Sequence, residues 1–307
     1  MSDIFGFLIV RPLGMLLNVI YNAVGSYGLA IILFAFLVKI IILPIAYHGK
    51  KGMLKMSKLQ GKMQQIQKQY ANNKVKMNEE ISKLYEKEGV SPMSGCLPSF
   101  LPLPIMMGLY YAVVKPMSFM MGLSGGMPNT PNEDINLLAQ KVGIEITQQN
   151  SYTIQTQIAD ACNQFFHNGK LDPSIASLSD GIKNLLQPMN FDFFGLDLSV
   201  KPTLTFSILI LIPILSGLSA FLSSWIIQKM QNNGNANAQV PGSMKTIMYI
   251  MPLMSVYFAF QFPAAIGIYW IANNIFSCVQ EIVLTKIIRH KYPEMTQQTK
   301  GKKKGEV

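Results

Sequence analysis

An all-α, polytopic membrane protein is the fold class this sequence predicts, with five transmembrane helices, an N-terminal interfacial helix and a cytoplasmic helical hairpin. Three observations carry the expectation. Half of the 307 residues are apolar and only 14% are charged, against about a quarter in an average soluble domain; the mean hydropathy is +0.27. Five stretches reach or approach the ~20 residues that cross a bilayer core as a helix. The formal net charge of +10 is spread unevenly between those stretches, which bears on their orientation.

Residues 1–27 open the chain. Ile4–Val10 is apolar, and Arg11-Pro12 is expected to break the run. Leu13, Leu16, Leu17, Ile20 and Val24 then recur on one helical face with Asn18 and Asn22 off it. This is the pattern of an amphipathic helix lying on the outward side of the membrane. Asp3 occupies the place of a basic n-region, so a cleaved signal peptide is not expected. The spans follow at 28–47, 97–121, 204–227, 244–262 and 264–288. Pro263 leaves room only for a tight reversal, so the last two are antiparallel neighbours.

The connecting segments set the topology. Residues 48–91 carry ten Lys and four acids, 122–203 four Lys and eight acids, 228–243 Lys229 and no acid, and the 289–307 tail continues a basic run that begins after Thr285. By the positive-inside rule the N-terminus lies outside, 122–203 faces outward, and 48–91, 228–243 and the tail are cytoplasmic. A plasma membrane is the expected setting. Within 48–91, Met56, Leu59, Met63, Ile66 and Tyr70, then Met77, Ile81, Leu84 and Tyr85, keep a three-four spacing on either side of Asn72-Asn73. Two helices folded back on each other along that seam are expected, with Lys55, Lys58, Lys62 and Lys68 on the outer faces. In the long loop, Ile154–Phe166 and Ile175–Leu186 predict short helices.

The composition excludes several chemistries. Cys96, Cys162 and Cys278 form no CxxC, and His48, His167 and His290 are scattered, so neither a metal site nor a nucleophilic triad has a constellation. No cofactor is expected, and the chain reads as a non-enzyme. One charge stands out instead. Lys39 lies 11 residues past Gly28, about 16 Å along a helix, and a lysine at mid-membrane costs about 2.5–3.5 kcal/mol on insertion scales. It needs water or a partner. Glu281, the one acid within the five spans, is one candidate; the other is a hydrated cavity open to the cytoplasm. On the fifth span Tyr269, Asn273, Ser277 and Gln280 recur at three- and four-residue steps, flanked by Trp270 and Asn274, and this stripe fits the wall of such a cavity.

Taken together the motifs resemble the YidC/Oxa/Alb family of membrane protein insertases, in particular its short bacterial type. Tyr27–Ala30 with Leu37–Pro44 resembles the family's first span, Ser91–Pro98 the approach to the second, Phe194–Ser199 the run before the third, and Pro263–Asn274 with Gln280 the fifth. The resemblance implies a hydrophilic groove open to cytoplasm and lipid, with one cation on its wall. The position is usually Arg and here is Lys39, which exchanges bidentate recognition for a point charge. It further implies newly made membrane proteins and lipids as partners, reached without ATP. A ribosome met through the hairpin and the Lys302–Lys304 tail, and a Sec-type translocon, are the further partners weighed; a monomer is compatible with all of this. The large outer domain of Gram-negative members is not expected here, and the 124–190 insert has no assigned role. A ribosome-tethering scaffold and a secondary transporter are the alternative readings. The first leaves Lys39 unexplained, and the second lacks internal repeats and mid-span carboxylates.

Overall fold

The computed structural model describes residues 6–89, 102–123, 133–147, 154–167, 170–172, 178–204, 207–232 and 242–293. Cys96, the Ser91–Pro98 motif and the Lys302–Lys304 tail lie outside the described residues. The chain divides into two compact units, one of Met1–Val38, Pro102–Ala220 and Ile250–Asn274, the other of Lys39–Leu101, Phe221–Tyr249 and Ile275–Val307.

Helices dominate. A π-helical turn, Gly6–Val10, leads into α1 (Arg11–Val24). The expected break at Arg11-Pro12 does not occur. Pro12 stands where the π-helical turn passes into α1, the point at which the helical hydrogen-bond register changes and a missing N–H is tolerated. Gly6–Val24 is thus continuous, and by length and composition it is one of three described helices able to cross a membrane; the others are Ile208–Met230 and Ala264–Lys291. A fourth arises only if α2 (Tyr27–Ile41) and the start of α3 (Leu43–Gln69) count as one span bent by 59°. The expected span 28–47 is therefore broken at Ile42. Pro44 in the first turn of α3 fits a new helix better than a continued one.

After α4 (Lys74–Glu88), the chain continues through α5 (Pro102–Val114) and the short α6 (Pro116–Phe119). The second expected span, 97–121, is accordingly interrupted at Lys115-Pro116. The 122–203 segment holds α7 (Glu133–Lys141), α8 (Ile154–Ala161) and α9 (Asp180–Leu185). It also holds two small antiparallel ladders that the all-α expectation did not include. In the first, β1 (Phe166–His167) pairs with β2 (Lys170–Leu171); in the second, β3 (Asp192–Phe193) pairs with β4 (Leu196–Asp197). Then come α10 (Leu211–Asn232), entered through a 3-10 turn, α11 (Gly242–Gln261) and α12 (Ala264–Lys291).

The first unit is held by close backbone approach and a few buried polar bonds. A Cβ on Gly14 of α1 would sit 2.5 Å from the carbonyl oxygen of Phe119, so only glycine lets α1 reach α6. In α8, Gln155 accepts from the Ser118 N–H at 3.1 Å and donates to the Ser118 hydroxyl at 2.8 Å. Asn163 both donates to and accepts from the Met189 backbone, at 2.7 and 2.8 Å. Around them Leu138, Ile158, Met189 and Leu198 are buried. Gly14→Ala tests which of two effects wins. Helix propensity favours Ala by about 1 kcal/mol, whereas forcing a methyl against backbone costs about 1–3 kcal/mol. A lowered unfolding temperature in detergent is expected. Gly61→Ala on α3, where a Cβ meets nothing within 4 Å, should raise it.

In the second unit, α3 and α4 lie side by side. The Tyr85 hydroxyl donates to the Met63 sulfur at 3.4 Å and Lys62 pairs with Glu88 at 2.6 Å. Asn73 caps α4 by accepting from the Lys76 N–H at 3.0 Å. Lys55, Lys62 and Lys68 are exposed, and Lys58 stands on the same helix. Met63, Ile66, Tyr70, Met77, Ile81, Leu84 and Tyr85 are all half-buried, as a seam between two otherwise solvated helices requires.

Candidate functional site

Lys39 stands in the last turn of α2, where the free carbonyls of a helix end favour a cation. It is half-buried, and its Nζ donates to the Ser277 hydroxyl of α12 at 2.8 Å. Of the two candidates for Lys39, the pair with Glu281 is not what forms. One helical turn beyond Ser277, Glu281 is taken by Lys50 of α3, in an ion pair whose side chains are 4% and 16% exposed. The bend at Ile42 explains the exchange. It ends α2 two residues after Lys39 and starts a new helix, on which Lys50 is close enough to reach the carboxylate. Among the described residues Lys39 pairs with no carboxylate. An ammonium carries three donors, and one of them is spent on a neutral hydroxyl.

Gln280 adjoins this cluster on α12. Its side-chain nitrogen is buried with no acceptor among the described residues. Farther along the same unit, Arg289 donates to the Met230 carbonyl at 2.9 Å, and Lys51 stands 4.1 Å over the Tyr292 ring. Lys50 is the residue that sequence reasoning missed. The available signal was its place at the head of the lysine run, but Lys39 was the only lysine weighed as a partner for Glu281.

The remaining residues of the expected stripe lie in the first unit and have different surroundings. Asn274 donates to the Ser219 hydroxyl at 3.1 Å, and Ser219 donates to the Ser216 carbonyl at 2.9 Å. The first bond is interhelical, the ordinary use of such groups between apolar helices, and the second lies within α10. Tyr269 is buried and Trp270 half-buried, and both line an apolar cavity of about 240 Å³ with Met106, Tyr110, Phe258 and Phe262. There the Trp270 ring meets Phe262 at 6.2 Å and Phe258 at 6.5 Å, both edge-on, the geometry aromatic quadrupoles prefer. Asn273 is half-buried beside them.

A larger cavity of about 710 Å³ lies among Tyr21, Asp160, Asn163, Gln187, Asp192 and Asp197. Burial, and then the nearby Asp197 carboxylate, raise the Asp160 carboxyl above its ordinary range. In the same segment burial pushes the Cys162 thiol up to about 12, so it stays protonated and unreactive at neutral pH. No group of three or more metal-ligating side chains occurs among the described residues.

A sequence model of the 60Kd inner membrane protein family matches residues 19–291. The membrane protein insertase YidC of Prosthecochloris aestuarii is 28% identical over 92% of this chain and 36% of its own length. That of Oceanobacillus iheyensis is 25% identical over 93% of this chain and 85% of its own. Membrane protein insertase MisCA of Bacillus subtilis is 26% identical over 96% and 84%. The chain thus spans about a third of the Prosthecochloris relative and most of the two shorter ones.

Proposed function

The chain belongs to the 60Kd inner membrane protein family, and on that premise we propose that it is a membrane protein insertase whose working cation is Lys39. The observation that carries the reading is the division of partners in the second unit: Glu281 is neutralised by Lys50, and Lys39 is left against the Ser277 hydroxyl. A lysine needed only for structure would gain most from the carboxylate. One kept on a hydroxyl retains its charge for a visitor.

In the proposed mechanism the outward-bound segment of a newly made protein enters a polar recess from the cytoplasmic side. Lys39 attracts its acidic residues, and Ser277 and Gln280, one turn apart on α12, supply hydrogen bonds to its backbone. Asn273 extends the same helical face. As the client's apolar span moves into lipid, burial of its apolar surface provides the driving force. The membrane potential adds about 2.3 kcal/mol per acidic charge per 100 mV moved outward. No nucleotide and no cofactor enters the scheme. The orientation proposed with it places the N-terminus outside and the tail inside, with α3 and α4 as a cytoplasmic arm whose exposed Lys55, Lys62 and Lys68 face a ribosome.

Site-specific photo-crosslinking tests the reading against a tethering scaffold. With the crosslinker at position 280, stalled nascent chains of a single-span client are expected to form adducts there. Adducts at position 62 of the arm and none at 280 would replace the insertase reading with the scaffold.

A further inference from the structure

The Phe194–Ser199 motif has no part in the mechanism above, yet it forms one of the most sharply defined features of the first unit. Phe194 and Gly195 connect β3 to β4 as a two-residue turn with φ of +56° and +76°. Positive φ at both positions is the type I′ pattern, whose preferred pair is Asn-Gly. Phe194 is the one non-glycine residue with positive φ among the described residues, and for a bulky side chain that is a genuine outlier. The strain is not repaid by burial, since Phe194 is 88% exposed.

The hairpin that carries this ring is firmly held. Phe193 lies where a Cβ on Gly28 would be, so its ring rests directly on the α2 backbone. The Tyr27 N–H donates to the Asn190 carbonyl at 3.1 Å, the Ala264 N–H to the Val200 carbonyl at 2.9 Å, and the Ala265 N–H to the Leu198 carbonyl at 3.2 Å. The hairpin is therefore fastened to the first turns of both α2 and α12, where two apolar helices begin. Just after it, Leu204 is 81% and Ile208 60% exposed, and Ile208 opens the apolar helix Ile208–Met230.

We propose that Phe194 is a bilayer anchor, its ring set into the headgroup–acyl boundary of the leaflet at which α2 and α12 begin. The occupant is lipid rather than protein. The hairpin is fixed at the level where membrane-crossing helices start, and the exposed apolar residues that follow it lead into such a helix. An exposed ring on a strained turn gains nothing from water, whereas apolar surface at the interface is stabilised by insertion. The anchor fixes the depth of the outer ends of α2 and α12. The proposal rests on the membrane reading above.

A nitroxide on a cysteine at position 194 tests it, in full-length protein carrying Cys96→Ser, Cys162→Ala and Cys278→Ser and reconstituted into phosphatidylethanolamine–phosphatidylglycerol vesicles. Labels at Ile214, nearly two turns into the apolar helix Ile208–Met230, and at Lys170, the exposed residue of β2, serve as references. The expected result is high accessibility to oxygen and low accessibility to a water-soluble nickel chelate at 194, shallower than at 214 and opposite to 170. A label at 194 that matches 170 overturns the anchor, and one shielded from both reagents overturns it in favour of a protein contact. If 214 itself reports water, the membrane reading falls and the anchor with it. Should the cysteine background fail to fold, Phe194→Trp with Trp225→Phe and Trp270→Phe gives a second readout. Bromolipid vesicles should then quench the new fluorescence, and unchanged intensity overturns the proposal.

Discussion

Lys39→Glu is expected to abolish insertion of single-span clients with acidic outward tails, while Lys39→Arg preserves it. An ammonium and a carboxylate 4 Å apart attract by about 4 kcal/mol at an effective dielectric of 20. Reversing the sign turns that attraction into repulsion of similar size, so even a strongly hydrated site should lose at least about tenfold in insertion rate. Arginine keeps the charge and adds a planar fork of donors, so it should not lose activity. The measurement is growth rescue of an insertase-depleted strain at matched protein levels, together with insertion into vesicles. Full rescue by Lys39→Glu would sink the electrostatic part of the mechanism.

The second large effect concerns Lys50 and Glu281. Removing one partner of a buried ion pair leaves an uncompensated charge and costs about 3–5 kcal/mol, whereas replacing both by apolar groups is often neutral. Glu281→Gln should therefore lower the unfolding temperature in detergent more than any surface change in α3. The double variant Lys50→Met, Glu281→Leu should recover most of the loss. A double variant no more stable than Glu281→Gln would show that the pair acts through something other than mutual neutralisation. Glu281→Gln and Lys50→Met also differ in function, because only the second leaves a carboxylate in place. Lys50→Met frees the carboxylate for Lys39, one turn away, and should slow insertion more than Glu281→Gln does.

The helical class, the positions of most helices and the Asn73 boundary between α3 and α4 follow from apolar periodicity and composition. Three features were not legible, each for an identifiable reason. Arg11-Pro12 reads as a breaker, but proline is tolerated where the π-helical turn passes into α1, so Gly6–Val24 runs through. Pro44 likewise sits inside an apolar run, and periodicity carries no sign of a 59° change of direction there. That bend is why Lys50 rather than Lys39 meets Glu281. Tyr269 and Trp270 were read as polar because of their spacing with Asn273 and Ser277. Both are amphipathic, however, and the aromatic rings of α5 and α11 that surround them come from distant parts of the chain. In the 124–190 insert, α8 and α9 fall inside the two helices expected there, whereas α7 and the two-residue strands of the ladders are too short for periodicity to show.

Leu43–Gln69 is a single uninterrupted helix, and its length has a mechanical consequence. From Lys50 the rod extends about 28 Å to Gln69 on one side and about 10 Å to the bend on the other. The ion pair with Glu281 therefore acts as a fulcrum placed close to the membrane end of a lever. A load at the far tip reaches the bend amplified nearly threefold in force, the pair at Lys50 bears the sum of the two, and a small rotation at the fulcrum sweeps the tip through a wide arc. Whatever docks on that tip gains leverage on the carboxylate one turn below the seat of Lys39.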